Sequence, residues 1–93
     1  MSKNLYSIYD TQLKKFVELS NKTNLKATIK SLRNFISRDN DITNLSDREV
    51  FNDWGFILIR HHQYIAFNNK IDFSFIEKNM KIDIIYNSNF LKK

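Results

Sequence analysis

Residues Asn24 to Arg38, NLKATIKSLRNFISR, hold the clearest element of the chain. Leu25, Ile29, Leu32 and Ile36 recur at steps of four, three and four, which places their side chains on one stripe of an α-helix, and Phe35 widens that face. Asn24 or Thr23 supplies the N-cap. The opposite side carries Lys26, Lys30, Arg33 and Ser37 at the same spacing, so three cations line a solvent-facing stripe, and Arg38 lies just past the end.

An apolar helical stripe has to be buried against another element, and the segments on either side read mostly as strands. Leu5-Tyr6-Ser7-Ile8-Tyr9 is short and β-rich, and Asp10-Thr11-Gln12 after it suits a side-chain-supported turn. Leu13 to Leu19 fits either a helix or a return strand, and the neighbouring strand favours the hairpin. Ser46-Asp47-Arg48-Glu49 reads either as a capping box opening a helical turn or as a loop feeding an extended segment from Val50. Phe56 to Arg60 and Gln63 to Phe67, separated by His61-His62, have the pattern of a second hairpin, with a turn at Asn68-Asn69. Ile71, Phe73 and Phe75 alternate with Asp72 and Ser74, Lys81 to Tyr86 is a further β-type segment, and Ser88 to Lys93 reads as a frayed basic tail. The expectation is an α+β fold: a small antiparallel sheet of four to five strands with one amphipathic helix packed on a face, in two layers.

At 93 residues the chain is expected to form a single domain, spanning residues 1–93, with one modest core. Its 42% hydrophobic and 14% aromatic content lies on the folded side of the disorder boundary. There is no Cys, which removes disulfides, thiolate metal sites and a cysteine nucleophile together. The opening Met1-Ser2-Lys3-Asn4 leads into no apolar leader, and the longest apolar run, Trp54 to Ile59, is far short of a membrane span. A soluble protein of a reducing cytoplasm is expected. Asn, Ile and Lys dominate while Gly, Pro and Ala together occur three times, a bias that fits an AT-rich genome and removes the usual turn punctuation.

Charge is unevenly distributed. Residues 11–38 hold seven Lys or Arg against one Glu, a surplus of six, whereas the whole chain carries +5. The positive field therefore has one main source, which points to an anionic partner, most simply nucleic acid, unless the surplus serves solubility alone. Lys26, Lys30, Arg33 and Arg38 are candidates for backbone-phosphate contact, with Lys14, Lys15 and Lys22 enlarging the surface. Among the aromatics interleaved with these cations, Tyr6, Tyr9, Trp54 and Tyr64 keep a polar handle that tolerates a wet surface. They are the candidates for stacking on unpaired bases, against the alternative that they build the core.

Other chemistries find little support. His61 and His62 are adjacent, so on a strand they point to opposite faces and cannot share a metal. Gly55 is the single glycine, which leaves no Gly-rich phosphate loop, and Asp39, Asp41 and Asp47 sit where Asp serves turns. No cofactor or metal is implied.

The succession Tyr6-Ser7-Ile8-Tyr9-Asp10, a basic helix with Ala27, Ser31, Arg33 and Phe35, then Asp47, Val50-Phe51 and Trp54-Gly55-Phe56 resembles the small non-structural protein of gokushovirus-type microviruses, which are single-stranded DNA phages. The likeness runs over residues 5 to 57. That family has a Pro near the Asp47 position and an acidic residue after the glycine, whereas here Ser46 precedes Asp47 and Phe56 follows Gly55. The resemblance implies a non-virion DNA-binding factor of the host cytoplasm, acting in single-strand synthesis and in packaging of viral DNA into the procapsid. It brings no catalytic residue. The rival expectation is an adaptor that binds a replication or capsid protein through a sheet edge or the aromatic 51–67 region. A homodimer covering that edge is compatible with either.

Overall fold

The structure, a computed structural model, describes residues 3–66 and 69–87. Seven elements follow one another: β1 (Leu5–Asp10), β2 (Lys15–Phe16), α1 (Leu25–Ser37), α2 (Asp47–Trp54), β3 (Phe56–His61), α3 (Phe73–Asn79) and β4 (Ile82–Tyr86). The strands form one antiparallel sheet in the order β2-β1-β3-β4.

Local chemistry accounts for most of the element ends. The Asp10 carboxylate accepts the Gln12 and Leu13 amides at 2.8 and 3.1 Å, which turns the chain from β1 into β2. Asn24 caps α1 by accepting the Ala27 amide at 2.9 Å. At Ser46 the capping-box alternative holds: Ser46 Oγ accepts the Glu49 amide while Glu49 Oε1 accepts the Ser46 amide, and the helix runs about one turn further than a single capped turn. Helix α2 stops at Gly55, whose φ of 75° is the left-handed C-cap that glycine adopts without steric cost. Thr11 then ties this corner to the first turn, donating both its amide and its hydroxyl to the Gly55 carbonyl at 3.0 and 2.7 Å.

Strand alternation sorts the core into two clusters on opposite faces of the sheet. Ile8 and Leu58 join Leu32, Ile36, Val50 and Phe51 under α1 and α2. Tyr9, Ile57 and Ile59 join Phe16, Phe73 and Ile76 on the other face, under α3. The register pairs Ile8 with Leu58 and Tyr9 with Ile57, so each pair lies on one face. Phe56 to Ile59 are all buried because β3 is covered on both sides, which is why this run is continuously apolar.

Three expectations are corrected here. The sheet is a layer between helices, not one layer of two, and it carries three helices instead of one amphipathic helix. Residues 63–66 do not return as a hairpin. The neighbours of β3 are β1 and β4, and Ile65 instead pairs its amide and carbonyl with the Asn21 side chain at 2.8 and 2.7 Å. The Phe73–Phe75 segment is helical, leaving Phe75 exposed, and the i, i+3 spacing of Phe73 and Ile76 seats both in the cluster with Tyr9, Ile57 and Ile59. Phe67 and Asn68 of the expected hairpin and turn, and the 88–93 tail, lie outside the described residues.

Candidate nucleic-acid interface

Helix α1 organises the basic surface because its caps and apolar stripe fix its rotation. With Thr28, Leu32 and Ile36 buried and Leu25 and Ile29 packed at the edge of the core, the two remaining flanks are open. One flank carries Lys26 and Lys30, both exposed. Arg33 shares their stripe but is held: its guanidinium donates to Asp47 Oδ1 and to the Ile42 carbonyl, each at 3.1 Å, which ties α1 to the start of α2. A cation engaged this way is a brace between helices more than a reserve for phosphate.

The other flank of α1 forms one wall of a groove of about 610 Å³ whose second wall is the 13–19 segment. Ser31 and Asn34 lie on the helical side, Lys15 and Leu13 on the strand side, and Val17, Leu19, Leu32 and Phe56 form the apolar floor. A smaller recess, lined by Lys22, Asn24, Ala27 and Ser31, continues it past the start of α1, and the two share Leu19 and Ser31. Lys22 is fixed there through its backbone, which exchanges hydrogen bonds with Tyr6 at 2.7 and 3.0 Å. Lys14, with φ of 57°, occupies the tight turn at the head of β2, and its carbonyl accepts the Ile71 amide at 2.8 Å.

At the far end of the groove Arg38 lies with its guanidinium carbon 5.9 Å from the centre of the Phe35 ring, within cation–π range. Phe35 is 58% exposed and Leu13 51% exposed, so two large apolar side chains open to solvent in the midst of the cations. Among the described residues the ion pairs are Arg33–Asp47 and Arg60–Asp83, and neither involves Lys14, Lys15, Lys22, Lys26, Lys30 or Arg38.

The four aromatic candidates are dispersed. Tyr64 is 70% exposed, while Tyr6 and Trp54 are half-buried and packed on the α1–α2 core. Tyr9 is buried, its ring 5.2 Å from those of both Phe16 and Phe73 and its hydroxyl donating to the Ile71 carbonyl at 2.6 Å. Burial holds its phenol above the ordinary range, and a base cannot reach its face. Phe35 is the aromatic that the residue pattern misassigned to the core. It lies about 100° round the helix from Ile36, at the border of the stripe, and its neighbours one turn away, Ser31 and Arg38, are polar.

Other polar groups are engaged within the fold. Ser7 and His61 form a buried pair that a substrate cannot approach. Asp41 Oδ1 accepts the Thr43 hydroxyl and amide, which hold its carboxyl below the usual range. Among the described residues no cluster of three or more His, Asp or Glu could hold a metal, and no helix is long and apolar enough to cross a membrane. No protein-family model, curated protein or solved structure matches the chain.

Proposed function

We propose that this protein is a small non-enzymatic DNA-binding accessory factor, acting in single-stranded DNA synthesis and in packaging of viral DNA into the procapsid. The observation that carries the DNA-binding part is the exposure of Lys14, Lys22, Lys26, Lys30 and Arg38, none of them in an ion pair among the described residues, around α1 and the adjoining hairpin. Such a surface releases condensed counterions when it meets a phosphate backbone. The synthesis and packaging role, and its place in the host cytoplasm, rest on the resemblance of residues 5–57 to the gokushovirus-type protein.

Equilibrium binding to a labelled single strand and its duplex over a salt series tests the reading. Affinity should fall log-linearly with salt, with a slope of about 0.7 per contact for single strands and about 0.9 for duplex. A folded Lys22→Gln/Lys26→Gln/Lys30→Gln variant should bind more weakly with a shallower slope. Unchanged affinity in that variant would remove α1 from the interface.

One observation favours the rival adaptor role. The outer edge of β4 has no strand neighbour among the described residues, and Ile84 on it is 40% exposed. An open edge of this kind accepts an added strand from a replication or capsid protein, or from a second copy. Absence of oligonucleotide binding even at low salt would give this role the lead.

A further inference from the structure

We propose that the groove between α1 and the 13–19 segment takes the unpaired bases of a single-stranded nucleic acid, with Phe35 as the stacking platform and Arg38 beside it on the adjacent phosphate. This rests on the nucleic-acid reading above and adds a strand preference to it. The chain buries Phe16, Phe51, Phe56 and Phe73, yet leaves Phe35 and Leu13 largely in water at one place. Both open into the same groove, whose floor is apolar and whose helical wall offers the hydroxyl of Ser31 and the amide of Asn34 to base edges. Arg38 already rests against the Phe35 ring, so the ring and the cation are assembled before a ligand arrives.

Charge selects the occupant. Apart from Asp10 and Phe56 the lining is drawn from residues 11–38, the segment that holds the positive surplus, with Lys15 and Arg38 on the walls and Lys22 in the continuing recess against the carboxylate of Glu18. The other lining carboxylate, Asp10, is engaged by the Gln12 and Leu13 amides. An apolar floor between cationic walls suits a chain of phosphates that carries flat apolar faces. In a duplex those faces are stacked and covered, so the ring finds a partner only on an unpaired strand. Lys26 and Lys30 lie on the opposite flank of α1, which separates general phosphate attraction from base stacking.

Fluorescence anisotropy with a labelled oligo-thymidine of about 12 residues and a duplex of equal length separates the two contributions. Phe35→Ala should fold normally, since the ring is exposed, and should weaken oligo-thymidine binding about tenfold while leaving duplex binding unchanged. Phe35→Trp should retain the single-strand affinity, and Lys26→Gln/Lys30→Gln should weaken both ligands alike. An equal loss on both ligands with Phe35→Ala, or no loss on either, would overturn the proposal while leaving DNA binding intact. A sedimentation mass that falls from dimer to monomer in Phe35→Ala, with DNA binding unaltered, would overturn it in favour of a second copy of the chain in the groove. Absence of oligonucleotide binding by the unmodified protein would overturn both readings together.

Discussion

His61 Nε2 and Ser7 Oγ meet at 2.6 Å inside the sheet, although 54 residues separate them in the chain. They lie diagonally across the β1–β3 pair, on the face that α3 covers. The other ring nitrogen, Nδ1, lies 2.6 Å from the Gln63 carbonyl, which can only accept, so Nδ1 carries the proton. Nε2 therefore accepts from the Ser7 hydroxyl, whose oxygen accepts the Asn21 amide at 2.9 Å. The neutral ring satisfies every group in this chain, and together they anchor the Asn21 strap and the 63–65 segment to the sheet.

Burial is the main cause that holds the His61 imidazole below its ordinary value, the nearby His62 adds to it, and the Gln63 carbonyl opposes it. The unfolded chain then binds a proton more readily than the folded one. The contribution of His61 is fully present above about pH 6.5 and is lost as pH falls below that, until the folded ring itself protonates. Thermal unfolding followed from pH 8 to 5 should show Tm declining through this window, at up to about 1.4 kcal/mol of stability per pH unit. The decline should flatten in His61→Gln; an unchanged profile in that variant would assign the titration elsewhere.

Gly55→Ala strikes two constraints at once. The residue sits at φ of 75°, and an added Cβ would come within 2.9 Å of Thr11 Oγ1, which is held in place by its bond to the Gly55 carbonyl. Left-handed backbone costs a non-glycine residue about 1–2 kcal/mol before the contact is counted. A loss of about 2 kcal/mol or more, read as a Tm drop of roughly 10 °C, is expected from calorimetry.

Tyr9→Phe keeps the ring packing but leaves the Ile71 carbonyl without its donor. A loss of about 1–2 kcal/mol is expected in urea unfolding, with an unchanged m-value because the core stays assembled. Nucleic-acid affinity should not move, since this ring is inside the protein; a selective loss of single-strand binding would contradict its placement.

Arg33→Gln should behave unlike the lysine substitutions. Its partners are Asp47 and the Ile42 carbonyl, so the expected loss is stability, about 1 kcal/mol for a half-buried pair, with the salt slope of DNA binding unchanged. A double-mutant cycle with Asp47→Asn measures the pair, and a coupling near zero would show that the bridge contributes nothing.

Helix α1, the turn at Asp10 and strand β4 were legible in the sequence because each is decided by residues a few positions apart: the four-three-four stripe under the Asn24 cap, a carboxylate reaching amides two and three residues on, and a β-branched run. The capping box at Ser46 was equally local, yet its rival, an extended segment from Val50, was excluded only when Val50 and Phe51 packed under α1. The basic character of residues 11–38 was visible too, as a count of charges without positions.

Tertiary structure decided everything that depends on which strand neighbours which. The run after His61-His62 lost its hairpin once β1 and β4 occupied both edges of β3, and Phe73–Asn79 is a helix that packs Phe73 and Ile76 onto the sheet face holding Tyr9 and Ile57. It drew Tyr9 into the core, spent Arg33 on Asp47 and left Phe35 in water beside Arg38. None of these follows from neighbours in sequence, because each rests on a contact whose partner, or whose absence, is set by packing between distant segments. Local hydrogen bonds are encoded within a turn of chain, whereas the faces that are covered and the charges that stay free depend on the whole sheet having closed.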